Sequence, residues 1–495
     1  MNRFLTLLLA PEALYFSGFN LMALLRLAAK IQPKAIAIDD SISEISYSDL
    51  YKRATNLSLF LYKKYENVTV KKIGILSNNH IDLVAVLFGT SPLGCHIFLL
   101  NTGISASQLT DLAERHDFDL LLYDDDLAHL AQAVICERLA FSNLAFSNKA
   151  EKNESRLPKQ RTIFTLLTSG TTGAFKTSSR RPSLLHFLAP FWALLTHLKL
   201  YKYSSVFVAT PIYHGFGMAA LILSIVLGVK IQLMPRFDAQ KAAFLIKKQQ
   251  IAVVTLVPSI LQKLLNEGKQ QLESARCIVS GGAPLPVNLV KIIAQTLDCQ
   301  LFSLYGTSEV GFCVLANPND LKNLPTTTGK PITGVKTLIL NDKNEEVAVG
   351  KIGRLCIKTR WSVIEKAAKN WIETGDLAYK NGGNYYFLCG RIDDMMIIGG
   401  ENVYPITIEN ALLEHPDIAE AVVIAQSDAI AGQRPKAFVV RSENTASASV
   451  ITPTEADLLL FLQSRLARFQ MPKNIVFVTD FMYNELGKID KRKMC

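Results

Sequence analysis

No C-x-x-C pair occurs in the 495 residues, although eight cysteines stand at positions 95, 136, 277, 299, 313, 356, 389 and 495. So widely spread, and mostly in apolar or strand-like surroundings, they offer neither zinc-site spacing nor a disulfide framework. They read as reduced thiols of a cytoplasmic protein. A basic arm is also lacking. The formal net charge is +10, yet the basic residues are scattered, and the densest cluster is Lys488, Lys491, Arg492 and Lys493 at the tail. With no aromatic-studded basic platform, nucleic acid is not expected as a partner. The excess charge reads as a solvated surface, with attraction to anionic phosphates or to a membrane as the alternatives. The N-terminal apolar run, Phe4 to Ala10, is cut by Pro11 and Glu12. It carries no convincing cleavage site and falls short of the roughly 20 residues of a spanning helix. A buried or docked segment is expected there, with peripheral membrane contact as the second reading.

What is present is core material and alternation. Hydrophobic residues make up 49% and charged residues 19%, and the length exceeds what one core usually serves, so at least two domains are expected. Helical spacing over Ser48–Tyr62, Asp82–Phe88 and Ala106–Arg115 alternates with apolar runs at Ile73–Leu76 and Ile97–Leu100. After a polar stretch, Asn143–Gln160, the alternation resumes from Ile163, with strand candidates at Val206–Ala209, Lys230–Leu233, Val253–Val257 and Arg276–Ser280. Strands alternating with helices predict parallel sheets covered on both faces. Val335–Asn341 and Gly353–Lys358 read instead as an antiparallel region beside turns. The fold class is therefore α/β. It comprises a large N-terminal domain (1–390) of βαβ-type sheets with a distorted antiparallel region, and a small, mobile α+β domain (391–495) whose first helix is Pro405–Leu413.

The most informative string is LLTSGTTGAFK, Leu166 to Lys176. An apolar strand candidate (Ile163–Leu167) runs into a turn whose Gly170 and Gly173 permit backbone angles barred to other residues, so amide N–H groups can point at an anion. The hydroxyls of Thr168, Ser169, Thr171 and Thr172 add donors for phosphate oxygens, and Lys176 adds positive charge. A Walker loop would need lysine directly after its second glycine, and this string lacks it.

The string resembles the signature loop of the adenylate-forming superfamily, which includes acyl-CoA synthetases, luciferases and adenylation domains. Further strings match in the family's order: TPIYHGFG (Thr210–Gly217), SGGAPLP (Ser280–Pro286), YGTSE (Tyr305–Glu309), TGD (Thr374–Asp376), GRIDDMMIIGGENVYP (Gly390–Pro405) and NELGKID (Asn484–Asp490). The resemblance implies ATP, Mg²⁺ and coenzyme A, or a carrier protein's phosphopantetheine, as the reacting partners. It implies that Gly281, Gly282 and Ala283 line an adenine slot, that Tyr305 and Gly306 lie against adenine, and that Ser308 approaches phosphate or substrate. Glu309 would hold the metal, a hard oxygen ligand suited to Mg²⁺. Asp376 and Arg391 would bind the ribose, and His214 would sit at the acyl carboxylate. Lys488 and Lys176 would stabilise charge in the adenylation step. Gly399 and Gly400 would admit the thiol's arm after rotation about a hinge near Asp393. A carboxylate is ionised near pH 7, so such chemistry needs positioning and charge relief and no general base.

Phe175, Thr177 and Ile397 depart from residues the family often has, namely Pro, Gly and Lys. The apolar run after His214 and the string LLNTGISASQL (Leu99–Leu109) resemble bacterial fatty acyl-CoA synthetases. A medium- or long-chain fatty acid is therefore the expected substrate, each buried CH₂ contributing roughly 0.8 kcal/mol. An acyl carrier protein ligase and a non-catalytic sensor with the same fold are the alternatives. A homodimer is compatible with the sequence.

Overall fold

The computed structural model describes residues 3–65, 70–144, 146–147, 157–169, 175–180, 184–362, 370–398, 401–428, 432–442, 453–483, 489 and 491. Among these, one nine-stranded sheet carries a parallel centre. Gln300–Thr307, Cys277–Gly281, Val253–Leu256, Ser205–Val208, Lys230–Gln232 and Ile36–Asp39 lie side by side in that order. Antiparallel strands close it at both edges. A six-stranded sheet runs Glu137–Ala140, Leu120–Tyr123, Lys72–Leu76, His96–Leu100 and Ile163–Ser169, all parallel, and ends on the antiparallel strand Phe175–Arg180.

Side chains alternate across each strand, so each sheet is apolar on both faces and must be covered twice. Val206 and Val208 face the core shared by the two sheets, while Phe207 faces the opposite core with the helices Ala239–Lys248 and Pro258–Asn266. The shared layer is filled by the helices Leu21–Ile31, Tyr47–Lys64, Ile81–Thr90 and Gly215–Leu227. The outer face of the six-stranded sheet is covered by Ala106–His116, whose start is fixed by a Ser105–Gln108 capping box.

The expected antiparallel region is a four-stranded sheet, Lys336–Leu340, Gly353–Lys358, Ile372–Lys380 and Tyr386–Arg391. The small domain holds the hairpin Met396–Ile398/Glu401–Val403 and the helices Pro405–Leu413 and Glu455–Gln463. Its three-stranded sheet comprises Ile418–Asp428, Gly432–Arg441 and Asn474–Val478.

Two expectations are corrected. Pro11 does not end the N-terminal element, because the helix runs Arg3–Ser17 with Pro11 inside it. Ala13 and Ser17 are buried, whereas Tyr15 and Phe16 are exposed. The strand before the phosphate turn does not stop at Leu167. It continues through Ser169, and Lys176 lies on the return strand, opposite Thr168. Phe175 and Thr177 pair with Ser169 and Leu167. Both residue types favour strands, which accounts physically for the hairpin persisting where proline and glycine would end it.

Candidate active site

Gly281, Gly282, Tyr305 and His214 lie at or beyond the carboxyl ends of strands of the nine-stranded sheet, the edge at which α/β sheets bind ligands. Tyr305 stands near the end of Gln300–Thr307, and its phenol donates to Asp376 Oδ2 at 2.6 Å. Asp376 comes from a different sheet. Its other oxygen, Oδ1, accepts from Arg391 Nη1 at 3.0 Å, and the same nitrogen donates to the Thr374 carbonyl at 3.0 Å. Arg391 and Asp376 are register partners on neighbouring strands, so the sheet itself places the guanidinium beside the carboxylate. Burial, followed by the charge of Asp376, pushes the Tyr305 phenol well above its ordinary pKa, so it remains a donor throughout the working range.

Gly375 makes this pairing possible. Its φ is +76°, and a Cβ there would lie 2.6 Å from Arg391 Nη2. The guanidinium lies against bare backbone, so a larger residue between Thr374 and Asp376 would displace it.

Gly281 ends its strand and Gly282 takes φ +81°. A Cβ on Gly281 would meet the Phe216 ring at 3.3 Å, so the glycine pair and the ring define a narrow apolar slot. Phe216 belongs to the helix Gly215–Leu227, and His214 is its N-cap residue, half-buried, with its ring 4.5 Å from that of Tyr213. Gly306 sits at a register shift where a Cβ would lie 2.2 Å from the Gly311 carbonyl oxygen, so the two antiparallel strands lie in backbone contact there. The following turn is held by Thr307, whose Oγ1 accepts from the amides of Glu309 (3.3 Å) and Val310 (3.4 Å). Ser308 and the half-buried Glu309 are presented by that turn. Among the described residues no group of three His, Cys, Asp or Glu side chains could hold a metal. The Glu309 carboxylate is a single hard oxygen donor, a ligand type compatible with Mg²⁺.

For other expected residues the description is partial. Gly170, Thr171, Thr172 and Gly173 lie outside the described residues, as do Gly399, Gly400 and Lys488. For Thr168, Ser169 and Lys176 the backbone is placed and the side chains are outside the description. Ala283 follows the glycine pair and is half-buried. Asp393 and Asp394 form a short 3₁₀ turn directly after the last strand of the four-stranded sheet. Lys491 of the basic tail is engaged there, 3.0 Å from Asp394 Oδ2 and 3.9 Å from Glu409 Oε1. Thr307 and Gly375 receive no role in the sequence reading although both lie inside matched strings. A glycine wedged between a hydroxyl and a carboxylate was the available signal.

Residues 25–364 match the family model described as AMP-binding enzyme, and residues 407–488 match that of the AMP-binding enzyme C-terminal domain. The chain is 27% identical over 488 residues to 2-succinylbenzoate–CoA ligase of Bacillus cytotoxicus, covering 94% of this chain and 96% of the relative. Fatty acid–[acyl-carrier-protein] ligase ScoC of Streptomyces coeruleorubidus is 31% identical over 304 residues, 58% of this chain and 57% of the relative. Among solved structures, o-succinylbenzoate CoA synthetase of Bacillus subtilis with its acyl-adenylate intermediate has a TM-score of 0.79 at 22% identity, over 95% of this chain and 97% of that one. The same enzyme with ATP and a magnesium ion has a TM-score of 0.77 at 23% identity, over 94% and 98%. At such identities the likeness establishes the fold.

Proposed function

The chain belongs to the AMP-binding enzyme family, an adenylate-forming acid–thiol ligase of large and small domains, and from that premise we propose how its residues divide the work. ATP binds with its ribose hydroxyls on Asp376 and Arg391 and its adenine between Tyr305 and the Gly281–Gly282 slot. The observation that carries this reading is the Asp376 carboxylate, held between Tyr305 and Arg391 with both oxygens oriented. A carboxylate so fixed is prepared to accept two vicinal hydroxyls without reorganisation. The phosphates lie along the Thr168–Lys176 hairpin, and Glu309 holds Mg²⁺, which supplies relief of phosphate charge. His214 and Lys488 orient the acid's carboxylate. One of its oxygens attacks the α-phosphorus, the bond to the bridging oxygen breaks and pyrophosphate leaves. A thiolate then attacks the acyl carbon of the mixed anhydride, and AMP leaves.

The acid is, in this proposal, an apolar monocarboxylic acid, with a medium- or long-chain fatty acid as the first reading. Most of the apolar run after His214 is packed in the core. Leu221 and Ile225 are fully buried, so the run as a whole is no tunnel. Gly215 and Ala219 are exposed on one helix face, with Phe216 and Ile222 half-buried beside them. That apolar edge favours an alkyl chain. An aryl acid is the second reading, favoured by the 2-succinylbenzoate–CoA ligase that aligns over 94% of the chain. Against that particular diacid, Thr210–Ser224 holds no lysine or arginine to meet a second carboxylate. Coenzyme A is the acceptor of choice and a carrier protein the alternative. For the N-terminal segment, membrane contact is supported by exposed Tyr15, Phe16 and Phe19 with Lys159 and Arg161 over two of the rings.

The test is pyrophosphate release from ATP over a panel of alkyl and aryl acids, with and without coenzyme A. Release with octanoate through palmitate, and thioester only with coenzyme A, is expected. Release only with aryl acids overturns the substrate reading, thioester only on a carrier protein overturns the acceptor, and AMP binding without release favours a sensor.

A further inference from the structure

The segment that delivers His214 is not held by its own sheet. Ala209 makes the last ladder bond of its strand, its amide donating to the Thr255 carbonyl at 3.0 Å. Pro211 then removes a donor, and the chain turns through Tyr213 to His214, whose amide donates to the Pro211 carbonyl at 3.1 Å. Gly217 presses on this turn so closely that a Cβ would lie 2.2 Å from Pro211 O. The backbone groups flanking Pro211 are satisfied by one side chain from the other sheet. Asn79 Nδ2 donates to the Thr210 carbonyl at 3.1 Å, and Asn79 Oδ1 accepts from the Ile212 amide at 2.8 Å. The amide uses both of its ends as a strand's peptide group would, and it is buried.

Asn79 is itself rigidly mounted. It lies beyond the end of Lys72–Leu76, where Asp124 from the neighbouring strand's end accepts from Ser77 Oγ (2.8 Å) and the Asn78 amide (2.8 Å) and contacts His80 Nε2 (2.8 Å). A second strap runs from Asn78 Nδ2 to Asp126 at 3.3 Å, and Asp126 accepts from Arg236, which follows the strand Lys230–Gln232 of the other sheet, at 2.8 Å. The two sheets are thus tied at the edge where the site opens.

We propose that Asn79 is a positioning residue for acid activation. It fixes the Thr210–Ile212 backbone of one sheet from the other, and so sets where His214 stands relative to the nucleotide. The inference rests on the role given to His214 above. Losing both hydrogen bonds would free the turn carrying His214 while leaving Tyr305, Asp376 and Arg391 untouched.

The experiment is a double-mutant cycle on the full chain, using the acid that wild type accepts. Asn79→Ala is expected to raise the acid's KM or lower its kcat/KM by about tenfold, the effect of a buried donor and acceptor losing their partner. AMP affinity should stay within about twofold of wild type, well below that tenfold effect. In a His214→Ala background the same change should cost little more, because its effect passes through His214. Asn79→Asp, which keeps the acceptor for Ile212, should fall between and serves if Asn79→Ala does not fold. Additive losses, or an equal fall in AMP affinity, would overturn the positioning role. A wild type inert toward every acid would instead overturn the proposed function, so the two failures are distinct.

Discussion

Asp376 concentrates the account at the residue scale. Its two oxygens are shared between a phenol and a guanidinium, and a hydrogen bond to a charged group is worth about 1.5–3 kcal/mol. Tyr305→Phe is accordingly expected to raise the KM for ATP by about tenfold or more, with the acid's KM little changed. Steady-state kinetics on both substrates checks this. His80 gives a pH prediction. Burial lowers its pKa, but the hydrogen bond and charge of Asp124, with help from Asp82 and Asp40, outweigh burial and leave it raised. A group whose folded pKa is raised contributes stability fully below its unfolded pKa, about 6.5, and loses it as pH rises through the folded value. Urea melts should therefore show the advantage of wild type over His80→Asn shrinking as pH rises above that region. An advantage that grows with pH would contradict the assignment.

At the scale of elements, the glycines decide which strands can meet. Gly375→Ala would push a methyl into the Arg391 guanidinium, whereas Gly350, at φ +84°, has nothing within 4 Å. Both changes incur backbone strain on the order of 1–2 kcal/mol. Only Gly375→Ala should also weaken ATP binding, which isothermal titration of the two variants would separate. Elements were legible in the sequence where local pattern decides them. Pro405–Leu413 appears with the expected limits, because proline at its first turn and apolar spacing are local signals. The Arg3–Ser17 helix passing through Pro11 and the hairpin reaching Lys176 were not legible. There, packing onto Leu21–Ile31 and pairing with a preceding strand override local propensity. The site was legible where glycines, hydroxyls and acids fall in one string, as in Thr374–Asp376. It was illegible where partners are remote, since nothing near Asn79 announces Thr210, 131 residues away.

The whole molecule adds a division of labour. The small domain touches the large one through Asn288 Nδ2 on the Ala419 carbonyl at 3.3 Å and through Lys263 over the Tyr483 ring at 4.9 Å. Both contacts are polar, and the domain rotation proposed between the two half-reactions would have to break them. The tail beyond Tyr483 leads to Lys488, while Lys491 is tied to Asp394 at the proposed hinge. Lys488→Ala is expected to abolish adenylate formation from ATP and acid, yet leave thioester formation from pre-made acyl-AMP within about threefold of wild type, well inside one tenfold step. Equal loss of both would count against two uses of one domain.

The proposed placement of nucleotide is what a crystal structure of the chain with AMP would test most directly. The account predicts both ribose hydroxyls within hydrogen-bonding distance of the Asp376 carboxylate and the base lying between Tyr305 and Gly281–Gly282. Nucleotide bound elsewhere, with the Tyr305–Asp376–Arg391 contacts unchanged and uninvolved, would contradict it.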